Sequence, residues 1–192
     1  MKYPKADKKQ QQLQLEKLFM RGDKPEFRFT IARDTREQLG WTFGGDFEMV
    51  DKKLEVGDYT LAFKMEGHTQ LRLAQNIFVV ERKASAVEMI HMVGQDRDRW
   101  MRELYALEKI PHAFVICEFT LEEFLEEAIS SGIMPSAAFG SISAWQYHVP
   151  IIFAGNRKLA EETFLCLARK CWKRYYLGHK GKRQSPQKGV QS

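Results

Sequence analysis

The sequence predicts a single α/β domain built around a mixed β-sheet flanked by helices. Short apolar runs with strand-like alternation occupy the first half of the chain, helical periodicity sets in at Ala84, and helices then alternate with compact apolar strands. The chain of 192 residues is long enough for one sizeable core. Its hydrophobic fraction of 44% and aromatic fraction of 12% are those of a globular protein.

Residues 1–24 are polar, with a short helix expected around "QLQLEKLFM". The folded domain is expected over 25–177. It opens with a strand from Phe27 to Arg33, whose alternation puts Phe27, Phe29 and Ile31 on one face. Turn glycines between the short runs of "GWTFGGDFEMVDKKLEVGDYTLAFKMEG" suggest a meander, and "LRLAQNIFVVERK" is the next strand region. "ASAVEMIHMVGQDRDRWMRELYALEK" has helical spacing in two pieces divided near Gly94. "HAFVICE" reads as a buried strand, "TLEEFLEEAIS" as a helix capped by Thr120, and "SAAFGSISAWQYHV" as another helix. "PIIFAG" is a short strand, and "NRKLAEETFLCLARKCWKRYY" a long helix capped by Asn156. Residues 178–192 are rich in Gly, Lys, Gln and Ser and read as a basic tail without regular structure.

Composition excludes several classes of function. No run of 18 apolar residues occurs, and the first residues lack the apolar core of a signal peptide. A soluble protein without membrane association is expected, in the cytoplasm or nucleoid, or in the nucleus of a eukaryote. Cys117, Cys166 and Cys171 are too few and scattered for a disulfide framework and read as buried reduced thiols. The five histidines show no metal spacing, and "RGD" at residues 21–23 reads as a turn. The net charge of +5 is concentrated: from Arg169 onward there are eight basic residues and no acidic ones. That block, with Lys170, Lys173, Arg174, Lys180, Lys182 and Arg183, is either a contact for nucleic-acid phosphates or a solvated tail.

The chemistry lies where apolar strands break into charge. "IFVVERK" ends in Glu81, Arg82 and Lys83. On a strand Glu81 and Lys83 share one face, about 7 Å apart, while Arg82 points the other way. "EVGDYTL" places Asp58 after Gly57 at a tight turn entering a strand, and "IARDTREQ" ends a strand in Asp34, Arg36 and Glu37. An Asp with a Glu-x-Lys on a neighbouring strand suits metal-dependent phosphodiester cleavage, because Mg²⁺ takes one or two carboxylates and leaves room for phosphate. The spacing alone is also that of an ordinary solvated strand end.

Taken together and in order, "RDTREQ", "VGDYTL" and "VVERK", followed by a helix and "HAFVICE", resemble the XPF-type structure-selective endonuclease domain of the PD-(D/E)XK superfamily, in a standalone bacterial or phage-like form. The resemblance covers roughly residues 27–177. It implies a restriction-endonuclease-like fold and a DNA endonuclease using Mg²⁺, with Mn²⁺ as a substitute, at branched or structured DNA in repair or recombination. It further implies metal ligation by Asp58 and Glu81, assistance by Lys83, and Asp34 as a further acid at the metal. Arg36 and Glu37 would organise the site or touch phosphate, and Arg82 would serve there or in packing. A homodimer is implied, with "SAAFGSISAWQYHV" and "TFLCLARKCWKRYY" as candidate faces, as is a possible further protein partner.

Two departures stand out. The family expects an Asp four positions after the motif lysine, where this chain has Val87; Glu88 follows, rotated by about 100° on a helix. The helix-hairpin-helix module common in the repair enzymes has no counterpart, so the grip on DNA would come from the tail, a second subunit, or "GQDRDRWMRE". In that stretch Arg97 is the candidate phosphate contact, whereas Arg99 and Arg102 are expected to pair with Asp96, Asp98 and Glu103. Two alternatives remain: a non-catalytic DNA-binding partner module, and a junction-resolving or restriction-like nuclease of a mobile element.

Overall fold

The computed structural model describes residues 29–45, 47–64 and 69–174. The expected N-terminal helix, Phe27, the "RGD" turn, and Lys180, Lys182 and Arg183 of the basic tail lie outside these residues.

Among the described residues seven strands form one mixed sheet: β1 (Thr30–Arg33), β2 (Met49–Asp51), β3 (Tyr59–Lys64), β4 (Leu71–Leu73), β5 (Phe78–Lys83), β6 (His112–Cys117) and β7 (Ile151–Phe153). The strand order is β2-β1-β3-β5-β6-β7, and β4 also pairs with β3. β3 runs antiparallel to β1, β4 and β5, while β5, β6 and β7 are mutually parallel neighbours. β4 and β5 follow one another along the same edge of β3, separated by the bend at Ala74–Ile77.

Five helices of the described residues complete the layers: α1 (Ala86–Val93), α2 (Arg97–Glu108), α3 (Leu121–Ser130), α4 (Pro135–Trp145) and α5 (Arg157–Trp172). Their boundaries follow local chemistry. The Ser85 side chain accepts the Glu88 N–H and starts α1, so that only two residues separate the helix from the end of β5. Thr120 and Glu123 form a reciprocal capping box at α3, and Asn156 caps α5 through the Leu159 N–H. α1 to α4 cover one face of the sheet, where Val79, Val115 and Cys117 meet Met89, Trp100, Phe124 and Trp145. α5 covers the other, where Ile31, Tyr59, Val80 and Ile116 meet Trp41 and Phe164.

Expectation and structure part at two places in the fold. The expected meander is not one, because β2 runs parallel to β1 and β3 takes the other edge of β1. A parallel neighbour needs a crossover rather than a hairpin; the connection through the 3₁₀ turn Phe43–Gly45 supplies it by sinking Trp41 and Phe43 into the core. Cys166 is exposed on the outer face of α5, although Cys117 and Cys171 are buried thiols as expected. The apolar face of α5 is spent on the sheet through Ala160, Phe164, Leu165 and Ala168, whereas α4 buries Ala138, Ile142 and Trp145 and leaves Phe139 exposed.

Candidate active site

The ends of four strands gather on one edge of the sheet. The C-terminal ends of β1, β5 and β6 and the N-terminal end of β3 lie side by side there. Gly57 brings the chain into β3 with φ of 73°, and a Cβ in its place would stand 2.2 Å from Val79 Cγ1. Only glycine accepts both the left-handed backbone and that approach. Tyr59 pairs with Val80, and just beyond that pair Asp58 lies in the field of Glu81, whose side chain shares one face of β5 with Lys83. Asp58 is anchored by backbone and side chain: its N–H donates to Val80 O at 2.9 Å, and its Oδ2 accepts the Arg82 N–H at 2.7 Å. Burial, then the Glu81 charge, pushes the Asp58 carboxyl well above the usual carboxylate range.

On that same face Lys83 is almost wholly buried, at 2% exposure. Its Nζ donates to Glu81 Oε1 at 2.7 Å and to Glu88 Oε1 at 3.3 Å, and lies 4.6 Å from the centroid of the Trp100 ring. Burial would depress the Lys83 pKa, but the charges of Glu81 and Glu88 outweigh it and hold the ammonium protonated. Glu88 reaches back to the strand end, its Oε2 accepting the Ala84 N–H at 3.2 Å, while Val87 is exposed. Ser85 caps the helix at a point from which Glu88 turns toward Lys83. Glu103 on α2 is a further acid nearby, with its pKa raised by burial and by Glu81.

Arg82 faces the other way, into the α5 side. Its Nε donates to Glu118 Oε1 at 2.6 Å and its Nη1 to Glu37 Oε1 at 3.1 Å, and Glu118 also accepts the Trp41 Nε1–H at 2.6 Å. All three charges of this cluster are largely buried. The cluster ties β5, the end of β6 and the loop after β1 into one unit beneath the acidic face. Neither Glu118 nor Trp41 was evident as a site residue from sequence, although "HAFVICE" ends an apolar strand in a charge just as "IFVVERK" does.

Asp34 differs from expectation. It is 1% exposed, and both oxygens are engaged: Oδ1 accepts the Arg36 N–H and Nε–H at 2.7 Å each, and Oδ2 accepts Leu54 N–H at 2.7 Å and Arg36 Nη2–H at 3.0 Å. A carboxylate with four donors has no lone pair to spare for a metal. Its evident work is to hold Arg36, whose side chain is 66% exposed and lies in the field of Asp58 and Glu81. Burial alone would raise the Asp34 pKa, but the hydrogen bonds from Arg36 and Leu54 bring it down to about 2. A pKa lower in the folded than in the unfolded chain stabilises above the unfolded value and loses that contribution as pH falls through the folded one. Acid titration of thermal stability should thus show a loss between about pH 4 and pH 2 that Asp34→Asn flattens; an unchanged acid limb in the variant would refute this.

Among the described residues no group of three or more His, Cys, Asp or Glu side chains is arranged to enclose a metal ion. The two converging carboxylates of Asp58 and Glu81 nevertheless fit Mg²⁺ or Mn²⁺. Both are hard oxygen donors, the Asp58 Oδ1 accepts no hydrogen bond among the described residues, and Mg²⁺ commonly binds to one or two carboxylates and completes its shell with water and phosphate.

The basic candidates are dispersed. Arg97 stands at the start of α2, where its Nη1 donates to Ser141 at 3.3 Å. Arg99 pairs weakly with Asp96 and Glu103 at 3.9 and 3.8 Å, as expected. Lys170, Lys173 and Arg174 are exposed at the end of α5. The field of Arg174 reaches His112, which opens β6, so this helix end lies at the opposite end of the strands from Glu81 and Lys83. With about 3.3 Å per residue, strand length separates the His112 end from Glu81 by roughly 10 Å and from Lys83 by roughly 17 Å.

A seven-strand mixed sheet with helices on both faces, carrying an Asp, a Glu and a Lys at adjoining strand ends, has the fold of the XPF nuclease domain. The ERCC4 domain model matches residues 23–165, and the chain belongs to that family. Two solved structures are similar in fold at 17% identity: "XPF from Aeropyrum pernix", with a TM-score of 0.52 over 73% of this chain and 60% of that one; and the same protein in complex with DNA, with a TM-score of 0.53 at 17% identity over 78% of this chain and 68% of that one. The chain thus corresponds to about three fifths of the first of those structures. No curated protein sequence matches it.

Proposed function

We propose that this protein is a divalent-metal-dependent endonuclease that hydrolyses DNA phosphodiester bonds at branched or structured sites. The observation that carries this reading is the convergence of Asp58, Glu81 and Lys83 on one face at the edge of the sheet. Family membership supports the nuclease assignment, and the related structure in complex with DNA supports the substrate class.

Asp58 and Glu81 would hold Mg²⁺ or Mn²⁺, which when bound supplies Lewis-acid neutralisation of phosphate charge and acidifies water. Lys83, fixed and protonated, offers its ammonium to the phosphoryl oxygens as negative charge develops there. Glu88 stands in for the acid absent at Val87 by holding that ammonium from the helix side. Arg36, oriented by the buried Asp34, presents an exposed guanidinium to a neighbouring phosphate of the same strand. Arg82 keeps the strand end rigid from below, and its backbone N–H fixes Asp58.

The test is cleavage of labelled linear, forked, flapped and four-way DNA with Mg²⁺, Mn²⁺ or chelator, beside Glu81→Ala. Metal-dependent cutting of branched substrates by the wild type, lost in the variant while DNA binding persists, is expected. Binding without cutting under every metal condition would replace this reading with a non-catalytic module.

A further inference from the structure

Trp100 is the least expected neighbour of the site. It lies in the first turn of α2, fully buried, yet its Nε1–H finds no acceptor among the described residues. A buried indole without a partner for its N–H is a poor choice for plain core filling, where phenylalanine or leucine would leave no donor stranded. What its ring does contact is the Lys83 ammonium, 4.6 Å from the centroid, and the edge of Trp145, with centroids 5.8 Å apart at 79°. Indole has the strongest cation-attracting face of the aromatic side chains, and burial strengthens that attraction.

The other holds on Lys83 are two carboxylates with other obligations. Glu81, at 2.7 Å, is one of the two residues that would ligate the metal. Glu88, at 3.3 Å, is partly exposed and shares its carboxylate with the Ala84 N–H. When Glu81 commits lone pairs to a cation, its grip on Lys83 weakens. The indole face does not change, because the ring is fixed by burial and by its packing against Trp145, neither of which a cation at Glu81 would draw on.

We propose that Trp100 is a positioning residue for the reaction: its indole face holds the Lys83 ammonium in place at the strand end while Glu81 is engaged elsewhere. This rests on the nuclease reading given above. The role depends on an aromatic face and not on the indole N–H. Trp100→Phe should therefore preserve it, and Trp100→Met, similar in flexibility to the core around it, should remove it.

The experiment combines two readouts on the full chain. In the first, NMR of ¹³C-labelled lysine should show the Lys83 methylene protons shifted upfield by the ring current in the wild type, without and with Mg²⁺. The shift should be reduced but present in Trp100→Phe, and absent in Trp100→Met. In the second, steady-state cleavage should show kcat lowered about ten- to thirtyfold in Trp100→Met with KM for DNA nearly unchanged, and within about threefold of wild type in Trp100→Phe. An unshifted Lys83 in the wild type overturns the inference without need of any variant. Equal losses in the two variants, or a fall confined to KM, overturn it in favour of core packing. A wild type that cuts no substrate would refute the nuclease reading and the kinetic role with it, whereas the ring-current shift would still report whether Trp100 holds Lys83.

Discussion

Asp58→Asn is expected to abolish metal-dependent cleavage and at the same time to make the metal-free protein more resistant to heat. The two effects have one cause. In the metal-free site Asp58 lies in the field of Glu81, and burial with that neighbouring charge disfavours its ionised form. A carboxyl whose pKa is higher folded than unfolded costs stability as pH rises from its unfolded value, near 4, through its folded one. Asparagine removes the charge and keeps an oxygen for the Arg82 N–H, so the variant should melt higher in chelator at neutral pH and show less decline with rising pH. Mg²⁺ should reverse the ranking. A cation at ten times its Kd stabilises the wild type by about 1.4 kcal/mol, or about 3–5 °C for a chain of this size. The variant should gain little from it. Cleavage should fall by on the order of 10³-fold or more, since the Lewis-acid contribution is several kcal/mol. Differential scanning with chelator and with Mg²⁺ checks the first part and a cleavage assay the second. A variant that melts lower than wild type in chelator would show that Asp58 is held as an ordinary ion pair.

Arg82→Met should give the largest loss of stability among the site residues, about 3–5 kcal/mol, or roughly 6–20 °C in melting temperature. Arg82 lies between Glu118 and Glu37 with its guanidinium largely buried. Removing it leaves the two largely buried carboxylates without their shared cation, with Trp41 still donating to Glu118. The methionine would refill the volume, so the deficit is electrostatic. Adding Glu118→Leu to Arg82→Met should recover part of the loss, a coupling expected of contacting charges. The backbone N–H that holds Asp58 survives the substitution, so protein folded at low temperature should keep cutting within about tenfold of wild type. A stability loss below about 1 kcal/mol would mean that the cluster is hydrated and loosely held.

The two substitutions sit at adjoining positions of the same edge, yet on opposite sides of the sheet. Alternation along "VVERK" predicts that division from sequence, because consecutive side chains on a strand cannot share a face. It also explains why three consecutive charges can serve two purposes: Glu81 and Lys83 line a reactive face, and Arg82 braces it. The same alternation predicted Phe29 and Ile31 together, and both lie in the core against α5. Helices were legible wherever a cap and a period coincided, as at Thr120 and Asn156. The region from Gly40 to Glu55 was not. Its turn glycines resemble those of a hairpin, but Trp41 and Phe43 are drawn into the aromatic cluster around Tyr59 and Phe164, and the strand that follows emerges parallel to β1.

Asp34 shows the limit on single residues. Its place at the end of an apolar strand, in a motif with Arg36 and Glu37, marked it as a site acid. Nothing local could show that the Leu54 N–H, twenty residues on, would take its second oxygen. Glu118 and Trp100 are the converse: each carries the signature of ordinary core-edge sequence, and only the packing of β6 and α2 against β5 brings them to Arg82 and Lys83.

The sequence by itself determined the elements, their order, the faces of the strands and the strand ends on which acid and lysine stand. These depend on periodicity and capping, which act over a few residues. The tertiary structure alone decided the pairing of β3 with β5 that brings Asp58 beside Glu81, the saturation of Asp34, and the burial of Lys83 beneath an indole. Those depend on which hydrogen-bond donor, charge or ring occupies the space beside a side chain, and that space is filled by residues distant in the chain.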